Sequence, residues 1–151
     1  MKGYRVVFFG HRDLRDHKLV EDRLFPLLAE LIGKKSFVEL YIGRNGEFDT
    51  FVASVVKRVQ KSVGNENNQM ILVLPYPQRD MEYYAEYYDG IIIPDCVHGV
   101  HPKGAIEKRN RWMVEEGDLL ICYVTRRGGA YNAMRYAARL GKKVINLASD
   151  D

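Results

Sequence analysis

The sequence predicts an α/β fold: a Rossmann-like, open, mostly parallel sheet of about six strands with helices on both faces. Short apolar runs alternate along the chain with stretches of helical periodicity, the pattern of an open α/β sheet. The runs are continuously apolar, which marks strands buried on both faces. Most of them close on a glycine or a proline, the residues that punctuate strand ends.

The elements follow in order. Val6-Val7-Phe8-Phe9 is the first strand, closed by Gly10. Leu19, Val20, Leu24, Leu27, Leu28 and Leu31 recur at near-helical spacing, with Pro26 expected to kink or stop that helix. Residues 37–42 are the second strand, ending at Gly43. Phe48, Phe51, Val52, Val55, Val56 and Val59 form the clearest amphipathic stripe of the chain, ended by Gly64 and the polar run 65–69. Residues 70–74 are the third strand, stopped by Pro75 and Pro77, and the tyrosine-rich stretch 80–88 reads as a helix. A short strand, 90–93, closes at Pro94. Pro102 is a good first-turn residue and opens a helix to about Glu116. Residues 119–124 are the fifth strand. Ala130, Ala133, Met134, Ala137 and Ala138 give the last helix a narrow face of small residues, Gly141 stops it, and 144–147 are the last strand.

The chain has 151 residues, 46% hydrophobic and 28% charged, with a net charge of +3. That is one domain's worth, residues 1–151, able to bury a core without metals or disulfides. Cys96 and Cys122 make no disulfide framework; Cys122, inside an apolar run, is expected to be a buried thiol. His17, His98 and His101 show no metal-ligand spacing. No apolar stretch is long enough to span a membrane. Met1-Lys2-Gly3-Tyr4 leads straight into a strand without a signal-peptide core, so a cytoplasmic setting is expected. The weak charge surplus does not mark a broad nucleic-acid surface, and a nucleic-acid partner is not expected.

Open parallel sheets bind ligands outside the carboxyl ends of their strands, so the residues after each strand carry the functional reading. They are Gly10-His11-Arg12, Gly43-Arg44-Asn45-Gly46-Glu47-Phe48-Asp49, Pro75-Tyr76-Pro77 and Thr125-Arg126-Arg127-Gly128-Gly129-Ala130-Tyr131-Asn132. Three of the four combine glycine with arginine. Glycine lets backbone amides approach an anion, a helix start adds free N–H groups, and arginine adds a bidentate donor. The same glycines also serve plain strand–helix turns. Glu47 and Asp49 suit a helix first turn through the dipole; alternatively one of them binds ribose hydroxyls or acts at an anomeric carbon. His11 reads as a satisfied loop residue or a catalytic group. Arg109, Asn110 and Arg111 form a solvated helix face or point at the Gly128-Gly129 loop. Tyr83, Tyr84, Tyr87 and Tyr88 share one helix face, read as a subunit interface or as a stacking platform; Tyr76 and Tyr131 are placed to stack on a base.

In this order the motifs resemble the SLOG superfamily of Rossmann-like domains, which joins the DNA-processing protein A (Smf) domain with the LOG-type nucleotide phosphoribohydrolases. Gly10-His11-Arg12 sits where Smf-like domains carry Gly-Ser-Arg. Gly43 to Asp49 sits where they carry a glycine-rich loop ending in Ile-Asp. Arg109-Asn110-Arg111, followed by Asp118 and a strand, is similar to their Arg-Asn-Arg signature, and Gly128-Gly129 to their Ser-Gly-Ser or the LOG-type Gly-Gly loop. The resemblance covers nearly the whole chain. It implies a phosphate-bearing ligand at the sheet's carboxyl edge, either a nucleotide, a nucleotide-derived signal or single-stranded DNA, and a homo-oligomer, dimer or higher. The chain departs from the LOG-type Pro-Gly-Gly-x-Gly-Thr-x-x-Glu: Arg135 stands where the glutamate belongs and Asn132 replaces the threonine. An arginine cannot act as that acid or base.

The expectation is therefore a sensor or sequestering protein for a nucleotide or nucleotide-derived signal of the ADP-ribose, NAD-derived or cyclic-nucleotide type, with no further cofactor. Phosphate contacts are expected from the amides of 128–130 and from Arg12, Arg44 and Arg109 or Arg111. Ribose falls to Glu47 or Asp49, and the base to Tyr76 or Tyr131. The alternatives are a nucleotide N-glycosidic-bond hydrolase using Glu47 or Asp49, and a single-stranded DNA binder.

Overall fold

The structure, a computed structural model, describes residues 3–149; Met1, Lys2, Asp150 and Asp151, included in the 1–151 span, lie outside the described residues. The elements alternate as the apolar runs require: β1 (Tyr4–Gly10), α1 (His17–Lys34), β2 (Val38–Ile42), α2 (Glu47–Val63), β3 (Asn68–Val73), α3 (Met81–Tyr87), β4 (Gly90–Ile92), α4 (Pro102–Glu116), β5 (Leu119–Tyr123), α5 (Gly129–Arg139) and β6 (Lys143–Asn146), with one turn of 3₁₀ helix at Asp95–Val97. All six strands lie in one sheet of order β4-β3-β2-β1-β5-β6, and every pairing is parallel. The fold is thus α/β and Rossmann-like, with the sheet entirely parallel.

Successive side chains of a strand point to opposite faces, and the core divides accordingly. Val6 and Phe8 of β1 join Leu40 and Ile42 of β2 under α1 and α2, with Val20, Leu24, Leu28, Val52, Val55, Val56 and Val59 packed on them. Val7 and Phe9 join Tyr41, Leu120 and Cys122 on the other face, under Met113 and Val114 of α4 and Ala130, Ala133 and Ala137 of α5. The alanine face lets α5 lie close to the sheet.

Two local expectations are corrected. Pro26 neither stops nor shortens α1, which continues to Lys34. The proline is exposed, so the carbonyl it leaves unbonded one turn earlier faces water, while buried Leu24, Leu28 and Ile32 hold the helix to the sheet. The four tyrosines of α3 do not share one outward face. Tyr84 and Tyr88 are buried in the core and only Tyr83 is strongly exposed, because consecutive helix residues are about 100° apart.

Candidate functional site

The strand order places the switch point between β1 and β5: the chain builds outward from β1 through β4, then returns to add β5 on the other side. Neighbouring loops there leave in opposite directions and open a crevice. A cleft of about 370 Å³ occupies it. Gly10, His11 and Arg12 supply one wall and 126–130 the facing wall; Gly43, Asn45 and Asp49 lie at one end, α4 packs along the cleft with Arg109 reaching that end, and Phe8 and Phe9 are at the floor.

Close backbone approach fixes the first wall. A Cβ on Gly10 would lie 2.1 Å from the Phe48 ring, and one on Gly46 only 2.4 Å from the Arg12 Cα. The Glu47 amide donates to the Arg12 carbonyl at 2.7 Å, and its carboxylate accepts from the Leu14 amide at 3.3 Å. Glu47 therefore ties the β1–α1 loop to the start of α2 and does not line the cleft.

Asp49, in the first turn of α2, does line it. The residue is 8% exposed and its carboxylate accepts from the Asn45 amide at 2.9 Å. Burial raises its pKa, opposed by that amide and by the charges of Arg109 and Arg44. Arg109 is 1% exposed, donating through Nη1 to the Val73 carbonyl at 2.8 Å and through Nε to the Asn110 side chain at 2.9 Å. Burial lowers its pKa and Asp49 opposes the shift. Gly43 makes room for the pair, since a Cβ there would sit 3.1 Å from the Arg109 Nη1 and 3.3 Å from the Asp49 Oδ2.

His11 is buried, and its Nε2 accepts from the Thr125 amide at 3.0 Å. The ring is therefore neutral with its proton on Nδ1, and burial together with Arg126 holds its pKa below the ordinary value. This bond joins the two walls at their base. Arg126 pairs with Asp13 across the rim. Arg12 and Arg127 are exposed cleft residues with no carboxylate partner among the described residues. Beside them α5 starts without a side-chain cap, at Gly128 in a positive-φ conformation (φ 147°) with open space before it. The arrangement offers uncapped helix amides and free guanidinium groups to an anion, with one buried carboxylate at the far end.

Of the expected site residues, the cleft thus gathers Gly10, His11, Arg12, Gly43, Asn45, Asp49, Arg109, Asn110, Arg126, Gly128, Gly129 and Ala130. Gly46 shapes it from behind and Thr125 holds its base. Arg44 turns toward α3, 4.7 Å from the Tyr84 ring and 3.4 Å from the Tyr88 hydroxyl. Tyr76 stays off the lining and acts on the Arg109 guanidinium. Tyr131 packs beside the second core cluster and accepts from Arg135 at 3.0 Å. Arg111 and Asn132 face a neighbouring groove between α4 and α5. Ile106 and Met113 line the cleft unanticipated, and Arg127, read only as part of the loop after the fifth strand, lines it too; Ile106, Arg109, Asn110 and Met113 are the i, i+3, i+4, i+7 stripe of α4, a periodicity that extends the Arg109-Asn110 motif. Among the described residues no cluster of three or more His, Cys, Asp and Glu residues could hold a metal ion, and no helix is long and apolar enough to cross a membrane.

No protein-family model and no curated protein matches the sequence. Solved structures do. A structure of DNA processing protein A from Helicobacter pylori, described for its single-stranded DNA binding mode, superposes with a TM-score of 0.63 at 18% identity, over 93% of this chain and 63% of that one. The molybdenum cofactor carrier protein of Chlamydomonas reinhardtii superposes with a TM-score of 0.60 at 14% identity, over 95% of this chain and 75% of that one. The chain thus spans less than two thirds of the DNA processing protein. The likeness shows the fold, a Rossmann-like parallel sheet.

Proposed function

We propose that this chain binds a phosphate-bearing nucleotide or nucleotide-derived molecule in the β1/β5 cleft, as a sensor or sequestering protein. One observation carries the reading. The uncapped start of α5, with Arg127 beside it, faces Arg12 across an open cleft at the switch point of the sheet, and neither arginine has a carboxylate partner among the described residues. Phosphate falls to the amides of 128–130 and to those two arginines. Asp49, the only carboxylate among the described residues lining the cleft, takes ribose hydroxyls. Arg109, committed to Val73 and Asn110, sets the field of the site.

Calorimetry with AMP, ADP-ribose and a cyclic nucleotide tests it. Gly129→Val is the matched variant: Gly129 has no atom within 4 Å of its notional Cβ, so valine fits the fold and fills the ligand's space. Binding by the parent chain and its loss in the variant are expected. No heat with any of the three at millimolar concentration overturns the reading. Release of free base during the titration would instead make Asp49 the acting carboxylate of a hydrolase.

A second reading, single-stranded DNA binding, is favoured by the fold shared with DNA processing protein A. It predicts an affinity that falls steeply with salt over several phosphate contacts. A mononucleotide affinity that varies little with salt argues against it.

A further inference from the structure

The cleft does not end at Gly129. A groove of about 510 Å³ runs on between α4 and α5. Ile106, Asn110 and Gly129 line both spaces, so the two adjoin across one saddle. The groove carries four cations, Lys103, Arg111, Arg135 and Arg139, against a single lining carboxylate, Glu107. None of the four is ion-paired among the described residues, whereas Arg5, Arg58 and Arg126 are. Two of the four are held in place by an aromatic ring. The Tyr136 ring lies 5.0 Å from the Arg111 guanidinium and 5.5 Å from that of Arg139, and its hydroxyl donates to Glu115. Tyr136 thus fixes both arginines beside an open groove.

Gathering uncompensated cations raises their mutual repulsion, and an anion between them relieves it. Arg135 and Arg139 lie six and ten residues beyond Gly129, so about 9 and 15 Å along the helix axis. With arginine side chains that lean back toward the helix N-terminus, these positions suit the second phosphate of a dinucleotide while the first stays at the helix start.

We infer that the α4–α5 groove is a second anion subsite for the same ligand, and that the ligand is a dinucleotide-class molecule whose second phosphate lies against Arg135 and Arg139. This rests on the reading of the cleft as a nucleotide site. The first phosphate sits at 128–130 and the linking sugar crosses the saddle at Asn110 and Gly129.

Titration of the full chain with AMP, with the 5′-phosphorylated dinucleotide pApA and with the oligonucleotide dA10 tests it, on the parent protein and on R135Q/R139Q. Both arginines are exposed and neither lines the cleft. The expected result is pApA affinity about tenfold above AMP, the gain from one charge-assisted phosphate contact, lost in R135Q/R139Q while AMP affinity stays within about twofold. AMP binding with no gain for pApA overturns the second subsite and leaves the cleft reading standing. Equal weakening of AMP and pApA by R135Q/R139Q overturns it as well, because the groove then acts only through net charge. A further large gain from pApA to dA10 replaces the small ligand by a single strand. Absence of binding by all three removes the cleft reading and this inference with it.

Discussion

Replacing Arg109 by methionine isolates the one cation buried beneath the cleft. The change keeps an unbranched chain of similar length in a helix interior, so propensity and volume are little altered. The parent guanidinium is 1% exposed and donates to the Val73 carbonyl at 2.8 Å. Its loss leaves that carbonyl without the donor and leaves Asp49, 8% exposed, with the Asn45 amide and a distant Arg44. Leaving the buried Val73 carbonyl without its donor costs about 1–3 kcal/mol, and Asp49, which the Arg109 charge reaches without an ion-pair contact, loses a stabilising field besides. With a urea m-value of about 2 kcal/mol/M, the midpoint falls by about 0.5–1.5 M. Trp112, stacked on Tyr41 at 5.8 Å between centroids, is the chain's one tryptophan and reports unfolding by fluorescence. Adding Asp49→Asn to Arg109→Met removes the orphaned charge while the side-chain oxygen still accepts from Asn45, so the double variant recovers part of the loss, with a coupling of about 0.5–3 kcal/mol. An Arg109→Met midpoint within about 0.2 M of the parent, which at that m-value is about 0.4 kcal/mol, refutes the reasoning. So does a strictly additive cycle.

The remaining predictions concern the cleft wall and the thiols. His11 has a folded pKa below its ordinary 6.5; the unfolded chain takes up its proton first as pH falls, so the stability present above pH 6.5 declines below it, down to the folded pKa. Urea midpoints measured from pH 7.5 to 5 should show that slope in the parent and a smaller one in His11→Gln; equal slopes refute the assignment. Gly10→Ala should cost about 1–3 kcal/mol through its clash with Phe48, partly recovered by Phe48→Leu in thermal unfolding; a neutral Gly10→Ala would show that the ring moves freely. Burial pushes the Cys122 thiol up to about 12, while Cys96 is exposed. A thiol reagent should therefore titrate one cysteine per native chain and two in denaturant, and two fast native thiols would contradict the packing of β5.

Every strand and helix was legible because each writes a local signature: an apolar run, a helical stripe, a closing glycine. The parts that were not legible depend on distant neighbours. Glu47 and Asp49 are two residues apart, about 200° around the axis, and only the position of α4 decides which one faces the cleft. Arg109 and Arg111 divide in the same way, one inward beneath Gly43 and one outward against Tyr136. His11 could not be recognised as the acceptor for Thr125 without the β1–β5 pairing, which joins residues 114 positions apart. Pro26 misled because a proline on the wet side of a well-anchored helix loses little.

The β1–β5 pairing has a consequence in time. Val6 pairs with Leu119, so the first strand of the sheet leaves the ribosome 113 residues before its second neighbour. At about 5–20 residues per second that interval is roughly 6–23 s. Once β2 has emerged it can pair with β1, but one edge of β1 stays open throughout and the facing wall of the cleft does not yet exist. The cleft is therefore completed late in synthesis, and an incomplete or nicked chain ending before β5 would hold Arg12 and Asp49 without the wall at 126–130.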